Sequence, residues 1–177
     1  MTRSRARRPP APVALAWQAT EPIPRGWRAW LSRLLAGYLA ALGYPGRGVT
    51  LLVADDAELK RLNARHRGRH RATDILSFSY LPGARAPPST IGELAVSLER
   101  ARAQAQANGW SLRTELARLL AHGCVHLLGY DHATRAQDRA MRRIEERLLT
   151  AAGFPGLYPP AAPRQAATRA PRKRKRA

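Results

Sequence analysis

Apolar side chains recur along residues 13–153 with two alternating periods, and the switches between periods mark out the elements. The run VALAW (13–17) reads as a short strand. After Pro24, the residues Trp27, Leu31, Leu34, Leu35, Tyr38 and Leu42 fall at helical spacing over 25–42, with Gly43 as the stop. VTLLVA (49–54) reads as a second strand, and Asp55 followed by Glu58 has capping-box spacing for the helix after it. DILSFSY (74–80) and IGELAVSL (91–98) read as two more strands around a Pro-rich loop at 82–90. Helices follow near 98–108, 112–128 and 135–151; Ser111 and Thr134 cap the latter two, and Gly153 ends the last. About four strands and five helices in this order predict one α+β domain, a mixed sheet packed mainly by helices.

Periodicity stops at both ends. Residues 1–12 form a basic Pro/Arg-rich tail, and 159–177, ending in RKRKR, read as a disordered basic tail, which leaves 13–158 as the domain. The chain carries 31 Lys+Arg against 12 Asp+Glu, a formal net charge of +19, nearly all of the excess being arginine. Such a chain attracts polyanions, and Arg forks suit phosphate; a general compositional bias toward Arg and Ala would raise the charge equally well. The single cysteine, Cys124, excludes an intramolecular disulfide and fits a reducing compartment. No apolar run approaches a membrane span, and the basic, briefly apolar start lacks a signal peptide's cleavage pattern. A cytoplasmic protein with no membrane partner is the expectation, with an Arg-rich transit peptide as the minor alternative.

The stretch HGCVHLLGYDH (122–132) changes the picture. His122 and His126 are four apart, so on a helix they project from one face, one turn apart. His132 follows Gly129, a residue type suited to ending that helix and turning the chain back. Three imidazoles with a fourth position left for water make a catalytic rather than a structural zinc site. The spacing equals that of the metzincin peptidase pattern, H-E-x-x-H-x-x-G-x-x-H, and the fold expected is α+β, zincin-like α/β. Gly123, however, replaces the glutamate that would activate water, and a peptidase without it lacks its expected general base. Cys124 lies about 200° round the helix from His122 and reads as buried filler rather than a ligand. Asp131 either orients an imidazole or fixes the turn through an Asx hydrogen bond; the sequence leaves both open.

Three stretches together resemble one family. HGCVHLLGYDH is similar to the H-G-x-x-H-L-x-G-Y-D-H signature of the YbeY family of metal-dependent endoribonucleases. LNARHRGRHRATDILSFSY (62–80) resembles the family's L-N-x-x-Y-R-x-x-D-x-P-T-D-V-L-S-F pattern, and IGELAVSLERARAQA (91–105) its G-D-I-x-I-S segment and following helix. The resemblance covers roughly residues 48–152. It implies His122, His126 and His132 as ligands of one Zn2+ per chain, and Arg67 as the functionally important arginine beside the metal cleft. It also implies a cytoplasmic enzyme acting on single-stranded RNA, in maturation of the small-subunit ribosomal RNA 3′ end and in ribosome quality control. Its partners would be the ribosomal RNA precursor, the small subunit and assembly factors. His66, His70, Ala72 and Glu93 stand where the family usually has Tyr, Asp, Pro and Asp, so the contacts of that loop are the part the resemblance leaves open.

The residues agree chemically with that implication. Cleaving a phosphodiester develops negative charge on phosphoryl oxygens, which a metal ion and a fixed arginine both stabilise. Arg65, Arg67, Arg69 and Arg71 cluster in one predicted loop. Arg65, Arg69 and Arg71 there are either RNA contacts or a solvated basic loop. Two alternatives to the endoribonuclease stand beside it: a zinc-dependent peptidase or other metal hydrolase, and a non-catalytic ribosome assembly factor with a structural metal.

Overall fold

β-branched and leucine-rich runs alternate with alanine- and arginine-rich ones, and the backbone follows that alternation. A computed structural model describes residues 13–81 and 89–158; the expected tails at 1–12 and 159–177 and most of the Pro-rich loop lie outside the described residues. In chain order the elements are β1 (Ala14–Trp17), α1 (Trp27–Ala41), β2 (Gly48–Ala54), α2 (Asp56–Arg67), β3 (Ile75–Ser79), β4 (Thr90–Ser97), α3 (Leu98–Asn108), α4 (Leu112–Leu127) and α5 (Arg135–Ala151). The sheet order is β1-β2-β4-β3. β1, β2 and β4 run parallel, while β3 returns antiparallel beside β4, with Ser77 opposite Leu94. The α+β class, the mixed four-stranded sheet and its five helices are as the periodicity predicts.

The two faces of the sheet are unequal. On β2, Val49, Leu51 and Val53 join α1, α4 and α5 in the large core, while Leu52 and Ala54 face the smaller cluster under α2, with Leu59, Leu62 and Phe78. The Tyr38 hydroxyl donates to the Ala117 carbonyl at 3.1 Å and so ties α1 to α4; burial raises its pKa well above the usual phenol value. Caps start the helices as expected at Ser111 and Thr134, the latter closing a full capping box with Gln137. The box expected at Asp55 only half forms. Asp55 accepts from the Glu58 N–H at 2.9 Å, but the Glu58 carboxylate turns to the Arg61 fork at 2.6 and 2.7 Å instead of reaching back. A charge-assisted fork is the stronger partner for a carboxylate than a neutral backbone N–H.

Two glycines set how closely α4 lies on the sheet. A Cβ at Gly123 would come within 2.7 Å of Ile75 Cδ1 and 2.9 Å of Leu94 Cδ2. A Cβ at Gly92 would meet the Phe78 carbonyl oxygen at 2.5 Å and Leu127 Cδ2 at 2.7 Å. Helix and sheet therefore touch through missing side chains on both partners. The two sites differ in what can move: side-chain tips can give way around Gly123, but a strand carbonyl beside Gly92 cannot.

Gly92→Ala is accordingly expected to destabilise by about 2–3 kcal/mol, at the upper end of overpacking costs. Gly123→Ala recovers about 0.5–1 kcal/mol of helix propensity and should cost less than about 1.5 kcal/mol net. Urea midpoints at constant m-value measure both. Equal losses would mean that the strand carbonyl is not the rigid partner.

Candidate metal centre and its cleft

α4 buries one face against the sheet and α1, and His122 and His126 sit at the edge of that face, half-buried. The helix ends at Leu127, Gly129 takes the left-handed conformation at φ 82°, and the chain doubles back to His132 before Thr134 starts α5. This return brings the three imidazoles together. Ring centroids are 4.5 Å apart for His122 and His126, 5.2 Å for His126 and His132, and 5.8 Å for His122 and His132. One ring nitrogen of each falls within 4.8 Å of the others.

The outward nitrogens of the first two rings are committed. His122 Nδ1 lies 2.8 Å from Glu145 Oε1, and His126 Nδ1 lies 2.8 Å from the Tyr130 carbonyl oxygen. Both partners accept hydrogen bonds, so each neutral ring carries its proton on Nδ1 and turns a lone pair inward on Nε2. Those two Nε2 atoms stand 3.1 Å apart. Two lone pairs at that separation repel unless a cation lies between them. Tetrahedral zinc with Zn–N bonds of about 2.0–2.1 Å sets its ligand nitrogens about 3.3 Å apart, close to the spacing of this pair.

Glu145, only 2 % exposed on α5, belongs to a buried polar cluster. Arg118 of α4 forks onto Glu115, which is fully buried, and also reaches Gln104 at 3.3 Å. The Tyr158 hydroxyl is buried beside Glu145 and Arg118 without a well-formed hydrogen bond, and burial raises its pKa. Burial pushes the Glu145 carboxyl up, but the His122 hydrogen bond and the neighbouring Tyr158, His122 and Arg118 outweigh it, and the acid ends below its ordinary value. His126 is held below the usual imidazole value of 6.5. Burial disfavours its charged form and His122 adds repulsion, only partly offset by the Tyr130 carbonyl.

The triad opens on a cleft of about 620 Å³ whose walls include Arg67, Arg69, Thr73, Asp74, Ser77 and Asp131. Arg67 donates one guanidinium N–H to the Ser77 carbonyl at 3.3 Å, on the free side of edge strand β3. The four arginines do not share one loop. Arg65 and Arg67 occupy the last turn of α2, because the helical pattern continues until Gly68, at φ 65°, ends it; Arg69 and Arg71 follow the turn. Arg67 and Arg69 line the cleft, whereas Arg65 and Arg71 are exposed and are not among its walls. The Asp131 carboxylate accepts from the His132 N–H at 2.7 Å, a bond local to the turn, and also faces the cleft. Cys124 is fully buried, its thiol pushed up to about 12 by burial, and takes no part in the donor set.

Sequence reasoning missed three supports. Glu145 stands between Met141 and Leu148 on the buried stripe of α5, and a lone carboxylate on an apolar stripe is a signal that could have found it. Buried Asn63 donates from its amide to the Arg71 carbonyl at 2.7 Å and pins the return loop after Arg67. Asp74 in the cleft wall is fixed by the Ile75 N–H at 2.9 Å and by Gln104 at 3.1 Å; burial raises its pKa, but these bonds outweigh that and lower it. The last two stand at fixed positions of the motif that 62–80 resembles, which is the signal that could have found them.

The family described as Endoribonuclease YbeY matches residues 17–153. Curated proteins with that same description are similar along most of the chain. One from Thermus thermophilus is 42% identical over 127 residues, covering 71% of this chain and 91% of its own. One from Anaeromyxobacter dehalogenans is 40% identical over 141 residues, covering 77% and 72%. One from Heliobacterium modesticaldum is 34% identical over 144 residues, covering 75% and 87%.

Purified protein is expected to carry about one transition-metal ion per chain, lost in His122→Ala and His126→Ala; unchanged content by elemental analysis would defeat the ligand assignment. Glu145→Gln should weaken metal affinity about 10–100-fold in competition with a chromophoric chelator. In the metal-free protein His126 binds its proton less readily folded than unfolded. Its contribution to stability is therefore full above pH 6.5 and lost as pH falls through the lower folded value. Urea midpoints across roughly pH 5–8 should fall toward acid, less steeply in His126→Ala.

Proposed function

The chain belongs to the Endoribonuclease YbeY family, and on that premise we propose that it is a metal-dependent endoribonuclease that cuts single-stranded RNA. Its proposed place is maturation of the small-subunit ribosomal RNA 3′ end and ribosome quality control, in the cytoplasm, with the small subunit and assembly factors as partners. No helix among the described residues is long and apolar enough to cross a membrane. The observation that carries the reading is the convergence of two Nε2 lone pairs, 3.1 Å apart, on a polar cleft that Arg67 also lines.

His122, His126 and His132 would hold the ion, taken to be zinc from the all-imidazole donor set. Bound there, zinc supplies Lewis acidity toward a phosphoryl oxygen and toward water. The chain's own residues do the rest. Glu145 and the Tyr130 carbonyl fix the ring orientations, so ligation needs no reorganisation at the moment of reaction. Arg67 has five N–H donors and spends one on Ser77, leaving others for the oxygens that gain charge in the transition state. Arg69 extends the positive wall of the cleft, and Arg65 and Arg71, exposed outside it, are proposed as further RNA contacts. A flexible single strand can bend a phosphate toward the triad; an A-form duplex holds its backbone rigid.

The peptidase alternative meets a steric objection. A glutamate at position 123 would have to enter the space held by Ile75, Leu94 and Ser77, a buried and largely apolar wall. An unpaired carboxylate against the apolar Ile75 and Leu94 side chains would cost several kcal/mol, which disfavours a glutamate base at this position.

The deciding assay compares matched single-stranded and duplex RNA, with and without chelator, alongside casein. Single strands should be cut in a metal-dependent way, the duplex little and casein not at all. Arg67→Ala should lower kcat about 100–1000-fold while changing RNA Kd far less. Casein cleavage without RNA cleavage would revive the peptidase. Tight RNA binding without cleavage at full metal occupancy would favour the assembly factor.

A further inference from the structure

One basic surface is not used by this reading. On α5, Arg135, Arg139, Arg143 and Arg147 recur every fourth residue, and all four are exposed. Successive members rise about 6 Å along the axis, at 1.5 Å per residue. The helix buries Met141, Glu145, Leu148 and Leu149. Arg139, Arg143 and Arg147 therefore fall on the face directly opposite the core. Among the described residues none of the four has a carboxylate within 4.0 Å, whereas Arg142 beside them is paired with Asp138. Along the ridge runs an open groove of about 920 Å³, lined by Arg143, Arg147, Ile144, Glu146 and Tyr130. Glu146 is the one acid in it. Tyr130 is 43% exposed, one of the two large apolar side chains standing out among the described residues.

Tyr130 joins this groove to the metal cleft. Its carbonyl oxygen accepts from His126 Nδ1, so its backbone belongs to the centre, while the residue, 43% exposed, also lines the groove. His132 follows two residues on, at most about 7 Å away between Cα atoms. An exposed aromatic ring stacks a base of any sequence, and a row of unpaired arginines meets successive phosphates. Resting on the endoribonuclease reading above, we propose that Tyr130 and the α5 arginine ridge form a track that holds single-stranded RNA outside the cleft. Tyr130 stacks the base next to the cleft, and Arg143, Arg147 and Arg139 take the phosphates beyond it. The track makes affinity depend on substrate length.

The test uses the full-length, metal-loaded protein and two fluorescein-labelled single-stranded RNAs, a 12-mer and a trinucleotide too short to reach α5. Tyr130→Leu keeps the backbone carbonyl and should raise the 12-mer Kd about tenfold or more. Arg143→Gln with Arg147→Gln should reduce the slope of log K against log salt by about 1.4, two phosphates' worth for a single strand. The same pair changed to Lys should restore the slope. Trinucleotide cleavage and metal content should not change in the arginine variants. Unchanged 12-mer affinity and salt slope, with wild-type cleavage intact, would overturn the track and leave the endoribonuclease standing. Equal losses on trinucleotide and 12-mer would also overturn it. If the wild type cuts neither RNA, the endoribonuclease reading fails; the track then stands or falls on the binding data alone.

Discussion

The close seating of α4 on β3 and β4 is the constraint from which the rest follows. Gly123 and Gly92 remove the side chains that would hold helix and sheet apart, and the Ser79 hydroxyl completes the contact at 2.6 Å from the Leu127 carbonyl. Because the helix sits that low, His122 and His126 emerge at the rim of the core rather than in open solvent. The strand they rise beside, β3, is at the sheet edge, where its outer side remains free to receive Arg67 from α2. The α4 imidazoles and the α2 guanidinium thus reach one cleft, His126 and Arg67 each held by a backbone carbonyl and His122 by Glu145.

A second layer of order comes from charge taken out of water. In a chain of net charge +19, two carboxylates, Glu115 and Glu145, are buried in the large core. A buried carboxylate is costly alone, and removing one partner from such a set typically costs about 3–5 kcal/mol. Here Arg118 serves Glu115, and Glu145 serves His122, so the cluster links α4 to α5 and ends on an imidazole. Its benefit lies less in stability than in fixing which nitrogen of His122 faces the cleft.

What was legible in the sequence, and what was not, divides by range. Strands and helices were legible because their periods are local, and so were the caps at Ser111 and Thr134. The triad spacing was legible for the same reason, since two ligands share one helix face and a glycine turns the third back. The half-formed box at Asp55 was misread because Arg61, one turn further on, competed for Glu58. The sequence reads Arg65 and Arg67 as loop because their charge obscures the last turn of a helix that Gly68 ends. Glu145 was missed because its partner lies 23 residues away, on a different helix. Gly123 reads as a missing glutamate, but the Ile75 and Leu94 side chains that pack against it belong to other elements.

Cys124 sits between two of the imidazoles in sequence yet is sealed beneath them, its thiol a weak acid with a pKa near 12. Only a thiolate coordinates soft metals strongly or reacts readily with peroxide. The cleft therefore presents imidazoles and the carboxylates of Asp74 and Asp131 but no thiolate, and nothing that an oxidant converts to a sulfenic acid. A donor set of this kind keeps its ligand chemistry through oxidative stress that would dismantle a cysteine-bound centre.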